Sequence, residues 1–106
     1  MNTGHVIAYF FGGSFLCNAL PHFLSGVMGR SFQSPFAKPP GQGLSSARVN
    51  VLWGSLNLIV GYALIFAVGQ FDPRAWNDIA PAAVGFIGMG LLSARLFGRF
   101  HGGDQP

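Results

Sequence analysis

Four side chains here have the chemistry to bind or to move a proton, and they sit in otherwise apolar sequence. His22 and Asn18 lie in one uncharged stretch, Asn50 and Asn57 in another. In the first, Ser14, Asn18, His22, Ser25 and Gly29 recur at steps of four, four, three and four. In the second, Asn50, Gly54, Asn57 and Gly61 recur at steps of four, three and four. Both spacings put the residues on one helical face. An imidazole or amide facing hydrocarbon leaves its donors and acceptors unsatisfied, at a cost of several kcal/mol. Facing another helix, it can pair. The two stripes are therefore expected to face each other as a polar seam of Asn18, His22, Ser25, Asn50, Trp53 and Asn57. With the first span ending near Gly29 and the second beginning near Val49, equal rise puts His22 beside Asn57 and Trp53. It also puts Ser25 beside Trp53, and Asn18 beside Gly61.

His22 carries two readings. An intramembrane histidine can ligate haem, sit against a quinone or relay protons. It can also be structural. Pro21 removes the helical partner of the Cys17 carbonyl, and His22 and Asn18 can satisfy groups around the resulting kink. Other chemistry is missing. No Cys/His set has metal-ligand spacing, no nucleophile–base pair stands out, and the apolar stretches hold no carboxylate to drive proton-coupled transport. Lys38-Pro39-Pro40-Gly41-Gln42-Gly43 lacks the order of a phosphate-binding loop and reads as a basic segment near anionic lipid heads. The sequence thus predicts no catalytic residue, no metal, no cofactor and no enzyme. Cys17, alone of its kind, reads as a small buried hydrophobe. Bulky Leu16 before it argues against a lipid attachment site, and the missing basic n-region argues against a cleaved leader.

The elements that must hold these residues follow from composition. Half of the 106 residues are hydrophobic and only 8% are charged, against roughly 25% charged in soluble domains. So few charges would cover a small soluble domain poorly. Three apolar runs, 6–28, 49–70 and 79–97, each match the ~20 residues that cross a bilayer as helix. The expected fold is all-α: one membrane domain, 1–106, with three transmembrane helices in a small bundle. Gly85, Gly88, Leu92, Arg95 and Arg99 share one face of the third helix, which suits close packing; Gly90 and Ala94 have small-xxx-small spacing. The loop 30–48, rich in Pro and Gly, is a poor helix. Its Phe32 and Phe36 suggest contact with the interface or the bundle, so that it covers the inner mouth of the seam. Asp72-Pro73 reads as a turn, Asn77 or Asp78 as the cap of the third helix, and Pro81 as a first-turn residue. The polar tail from Gly98 is expected to fray, and His5 and His101 to be solvated.

The charges orient the chain. Arg30, Lys38, Arg48, Arg95 and Arg99 lie on one side of a three-span arrangement and only Arg74 on the other. The positive-inside rule puts loop 30–48 and the C-terminus in the cytoplasm and the N-terminus outside. Tyr9 and Trp76 then belong at the outer interface, while Arg95 snorkels to the inner one. A net charge of +3 without a basic stripe excludes nucleic acid as a partner.

The segments Asn18-Ala19-Leu20-Pro21-His22-Phe23, Gly29-Arg30-Ser31-Phe32-Gln33-Ser34-Pro35-Phe36 and Asn50-Val51-Leu52-Trp53-Gly54 resemble a group of small, uncharacterised bacterial inner-membrane proteins. The resemblance implies a bacterial inner-membrane location and brings no activity. In size, span number and a histidine on a helix, the chain also resembles the three-span haem- and quinone-binding anchor subunits of succinate dehydrogenases. It departs from them in lacking their second-helix histidine pattern. Beyond the lipid bilayer, the expected partner is a second copy or another membrane subunit. The leading expectation is an oligomerising or accessory subunit. A small solute carrier or pore using His22 and Asn57, and a redox anchor contacting haem or quinone, are the alternatives.

Overall fold

The computed structural model describes residues 2–101. Three helices, α1 (Thr3–Val27), α2 (Ala47–Phe66) and α3 (Trp76–His101), are joined by a long loop and a short one. The loop after α1 carries a two-stranded antiparallel ribbon, β1 (Phe32–Gln33) and β2 (Leu44–Ser45), with Phe32 opposite Ser45 and Gln33 opposite Leu44. The expected three-helix unit is present, and all three helices are long and apolar enough to cross a membrane. The expected fraying tail beyond His101, and the His101 side chain, lie outside what is described; residues 98–101 continue α3.

Local chemistry sets the helix ends. The Asn2 side chain accepts from the His5 N–H at 3.0 Å and caps α1. At the other end Gly29 takes φ +73°, a left-handed conformation that glycine reaches without Cβ strain. The Arg30 N–H then reaches the Ser25 carbonyl at 2.9 Å and the Gly29 N–H reaches Gly26 at 3.0 Å. This paired closure is a Schellman stop. Ser46 opens α2 by accepting from the Val49 N–H at 3.2 Å. The α3 start differs from expectation. The Ala75 carbonyl already accepts from the Ile79 N–H at 2.9 Å, so the helix begins at Trp76 and neither Asn77 nor Asp78 caps it. Asp78 instead sits in the first turn, where its carboxylate accepts from the Asp72 N–H at 2.8 Å. The helix N-terminus favours a negative group there. Pro81 consequently falls in the second turn rather than the first.

α1 is the central element. It packs on both α2 and α3, which make almost no direct contact with each other. The helices form a row, α2–α1–α3, in a slab of 41 × 31 × 21 Å. Small residues make both contacts close. A Cβ on Gly54 would lie 2.6 Å from the Phe23 nitrogen across the α1–α2 contact, and one on Gly85 would lie 1.9 Å from the Phe10 carbonyl oxygen across α1–α3. Glycine permits the approach because it carries no side chain. Gly88, placed on the same α3 stripe by spacing, faces open space. Tyr9 is buried rather than interfacial, with its ring edge-on to Phe71 at 5.1 Å, whereas Trp76 is exposed. The first helix face that holds Tyr9 turns toward the end of α2, and the loop bearing Phe71 folds over it.

Candidate functional site

The polar residues of α1 and α2 meet, in pairs offset from the expected ones. His22 Nδ1 lies 2.8 Å from Asn50 Oδ1. Asn18 Nδ2 donates to Asn57 Oδ1 at 3.0 Å. Asn57, expected beside His22, therefore pairs with Asn18, and Gly61 packs on Gly12 and Leu16 instead of Asn18. The offset is about one helical turn. It follows from α1 ending at Val27, two residues before the expected Gly29, and α2 beginning at Ala47, two residues before the expected Val49. Ser14 also departs from the expected seam: its hydroxyl donates to Phe10 O at 2.9 Å and to Gly85 O at 3.2 Å, so it binds α1 to α3. Ser25 contributes its carbonyl to the stop of α1.

Asn50 is the hub. Its side chain is fully buried, and Nδ2 donates to the carbonyls of Phe32 at 3.1 Å, Ser45 at 3.2 Å and Ser46 at 3.1 Å. One amide thus ties both ribbon strands to the start of α2. The three carbonyls fix the amide orientation, because only the NH2 end can face them. Oδ1 must then face His22, and His22 must donate to it from Nδ1. In the neutral imidazole this tautomer leaves Nε2 as an acceptor.

The loop is an ordered cover whose basic stretch, Lys38 to Pro40, stays exposed. Gln33 Nε2 donates to Gly41 O at 2.7 Å, the Gly41 N–H donates to Ser34 O at 2.9 Å, and the hydroxyls of Ser34 and Ser45 bond to each other. Gln33, Ser34 and Ala37 are buried. Three aromatic rings enclose the His22 imidazole: Phe32 at 5.4 Å, Phe97 at 5.7 Å and Trp53 at 6.3 Å between centroids, all steeply tilted to it. Phe36 stands edge-on to Trp53 at 5.2 Å. The Trp53 indole N–H is buried with no hydrogen-bond partner among the described residues.

Between loop and helices lies a cavity of about 340 Å³ lined by Asn18, His22, Ser34, Trp53, Phe97 and loop residues Pro35, Pro40 and Gly41. A second hollow of about 510 Å³ runs beside α1 among Phe11, Phe15, Met89 and Leu92, with Asn18 and Asn57 in its wall. Ser34, Phe97 and Gln33 belong to this region although nothing in their spacing marks them. For Gln33 and Ser34 the sequence signal is their place in the Pro/Gly-rich loop between Phe32 and Phe36; Phe97 carries none beyond closing the third apolar run. Among the described residues no group of three His, Cys, Asp or Glu could hold a metal ion. Comparison with protein-family models, with curated proteins and with solved structures gives no match to this chain.

The two amide pairs differ in weight. Asn57→Leu removes the bonds to Asn18 and to the Trp53 carbonyl, the latter at 2.8 Å, and leaves Asn18 beside an open hollow. Unfolding in micelles is expected to show a loss of about 0.6–2 kcal/mol, the range for interhelical hydrogen bonds in membranes.

Proposed function

We propose that this chain is a three-span bacterial inner-membrane protein, N-terminus outside and C-terminus cytoplasmic, that serves as an accessory subunit joining a second copy or another membrane subunit. The observation that carries the reading is the unequal use of the helices. α1 is enclosed by α2 and α3, while α3 packs along one edge and turns Val84, Ile87 and Leu91 outward, each at least 60% exposed. In lipid this face costs nothing to expose, and it is free to meet a partner helix. A carrier finds less support, because Asn18 pairs with Asn57 and His22 with Asn50, which occupies their polar groups with one another.

Two measurements test this. Cross-linking in native membranes is expected to trap a dimer or a heteromer through α3; a strictly monomeric chain with no co-purifying subunit rejects the accessory role. Orientation is tested separately in a Cys17→Ala background. Gln42→Cys should react with an impermeant maleimide only after the inner face is opened, and Arg74→Cys should react in intact cells. The reverse pattern rejects the orientation, and labelling of both from one side rejects the span count.

A further inference from the structure

We propose that the cavity beneath the loop and the hollow beside α1 form one binding site for a neutral, flat, hydroxyl-bearing ring on an apolar chain, the chemistry of an alkylated quinol or phenol. The two spaces share a wall, since Asn18 lines both. The upper space, under the loop, is aromatic and polar; the lower is almost wholly apolar. An amphiphile with a compact head and a greasy chain matches that division.

The head chemistry follows from what faces the upper space. No Lys, Arg, Asp or Glu lines it, and an ion placed there would lose its hydration without a counter-charge. The head is therefore neutral. His22, held through Nδ1 by Asn50, presents Nε2 as an acceptor, so the head must donate a hydrogen bond. A hydroxyl group meets that need by donating to the imidazole. The rings of Trp53 and Phe97 and the prolines of the loop provide apolar sides for a planar ring. The volume of about 340 Å³ lies at the small end of the roughly 300–1,000 Å³ range of ligand sites, which suits one ring rather than a macrocycle. The chain then runs past Asn18 between Phe15, Met89 and Leu92.

The test uses full-length protein in detergent with Trp76→Phe, so that Trp53 alone reports by fluorescence. The probe is an alkyl 1,4-benzoquinol with a ten-carbon chain, kept reduced under anaerobic conditions, and its dimethyl ether serves as the analogue that cannot donate. The quinol is expected to change Trp53 emission saturably at one per chain and to bind about tenfold more tightly than the ether, the loss set by one hydrogen bond. His22→Phe should abolish that preference. Gly88→Trp fills the lower space where a side chain meets nothing within 4 Å, and should weaken the quinol at least tenfold while leaving the fold intact. Equal affinity for quinol and ether overturns the hydroxyl assignment. A linear, unsaturable change that is the same in Gly88→Trp overturns the site.

Discussion

Asn50→Leu is expected to release the loop from the helices and to cost about 3–5 kcal/mol, more than any other single side chain in the seam. Leucine fills a similar volume but makes none of the four bonds. The His22 Nδ1–H at 2.8 Å and the carbonyls of Phe32 and Ser45 lose their bonds to the Asn50 side chain together; a buried donor left unsatisfied costs about 1–3 kcal/mol, and each further bond lost about 0.5–1.5 kcal/mol. The Ser46 carbonyl suffers least, because it still accepts from the Asn50 backbone N–H at 3.1 Å. A loss of this size is a large fraction of the ~5–15 kcal/mol that holds a small protein folded. Reversible unfolding in mixed micelles measures the total, and protease cutting within loop 30–48 reports the loop. Asn50→Asp is expected to be worse still, because it sets a carboxylate against three carbonyl oxygens. A double-mutant cycle with His22→Phe should return a coupling of about 0.5–3 kcal/mol. If Asn50→Leu is no less stable than Asn57→Leu and its loop is equally protected, the hub assignment is wrong.

That contrast between two asparagines on one stripe marks where the sequence could be read and where it could not. Spacing alone places Asn50 and Asn57 on a shared face, and burial cost alone turns that face inward. Nothing in the spacing says that Asn50 reaches two strands of a ribbon. Its partners are carbonyls, which every residue has, so they leave no trace in residue type. Register is similarly invisible. It depends on Gly29 adopting a left-handed turn and on Ser46 capping α2, and these two local events slide the helices by about a turn. Ser46 is a recognisable cap, but Arg48 just after it draws the expected membrane boundary inward to Val49. Cap chemistry and hydropathy disagree there, and cap chemistry sets where the helix starts. The loop is the least legible part. Gln33 and Ser34 are polar, in a Pro/Gly-rich segment, and are yet among the most buried side chains. Their burial comes from bonds that close within the loop, Gln33 to Gly41 and Ser34 to Ser45, which no periodicity announces.

On α3 the stripe Gly85–Gly88 makes the same point in reverse, and it allows a direct test. Both glycines suit a packing face, but only Gly85 has a neighbour. Gly85→Leu would push against the Phe10 carbonyl, which is backbone and cannot swing aside, so α3 must move away from α1 and the Ser14 bond to Gly85 O must break. Gly88→Ala, one turn further on, should not destabilise, since no atom lies within 4 Å of its Cβ, and should gain up to the ~0.4–1 kcal/mol by which alanine exceeds glycine within a helix. A covalent reporter separates the two. A Cβ on Gly90 would lie 3.5 Å from Cys17 Sγ, close to disulfide reach. The chain has no other cysteine, so Gly90→Cys creates a unique α1–α3 pair. Mild oxidation is expected to cross-link it in most molecules, read as faster migration on non-reducing gels. Adding Gly88→Ala should leave the yield unchanged, and adding Gly85→Leu should reduce it at least severalfold. Because the cross-link needs contact within one chain, it also distinguishes this packing from an exchange of α3 between two copies, which would give a covalent dimer. An efficient intramolecular cross-link in the Gly85→Leu protein would mean that α3 tolerates a bulky side chain against α1, and that the close approach of the two backbones is not what seats it.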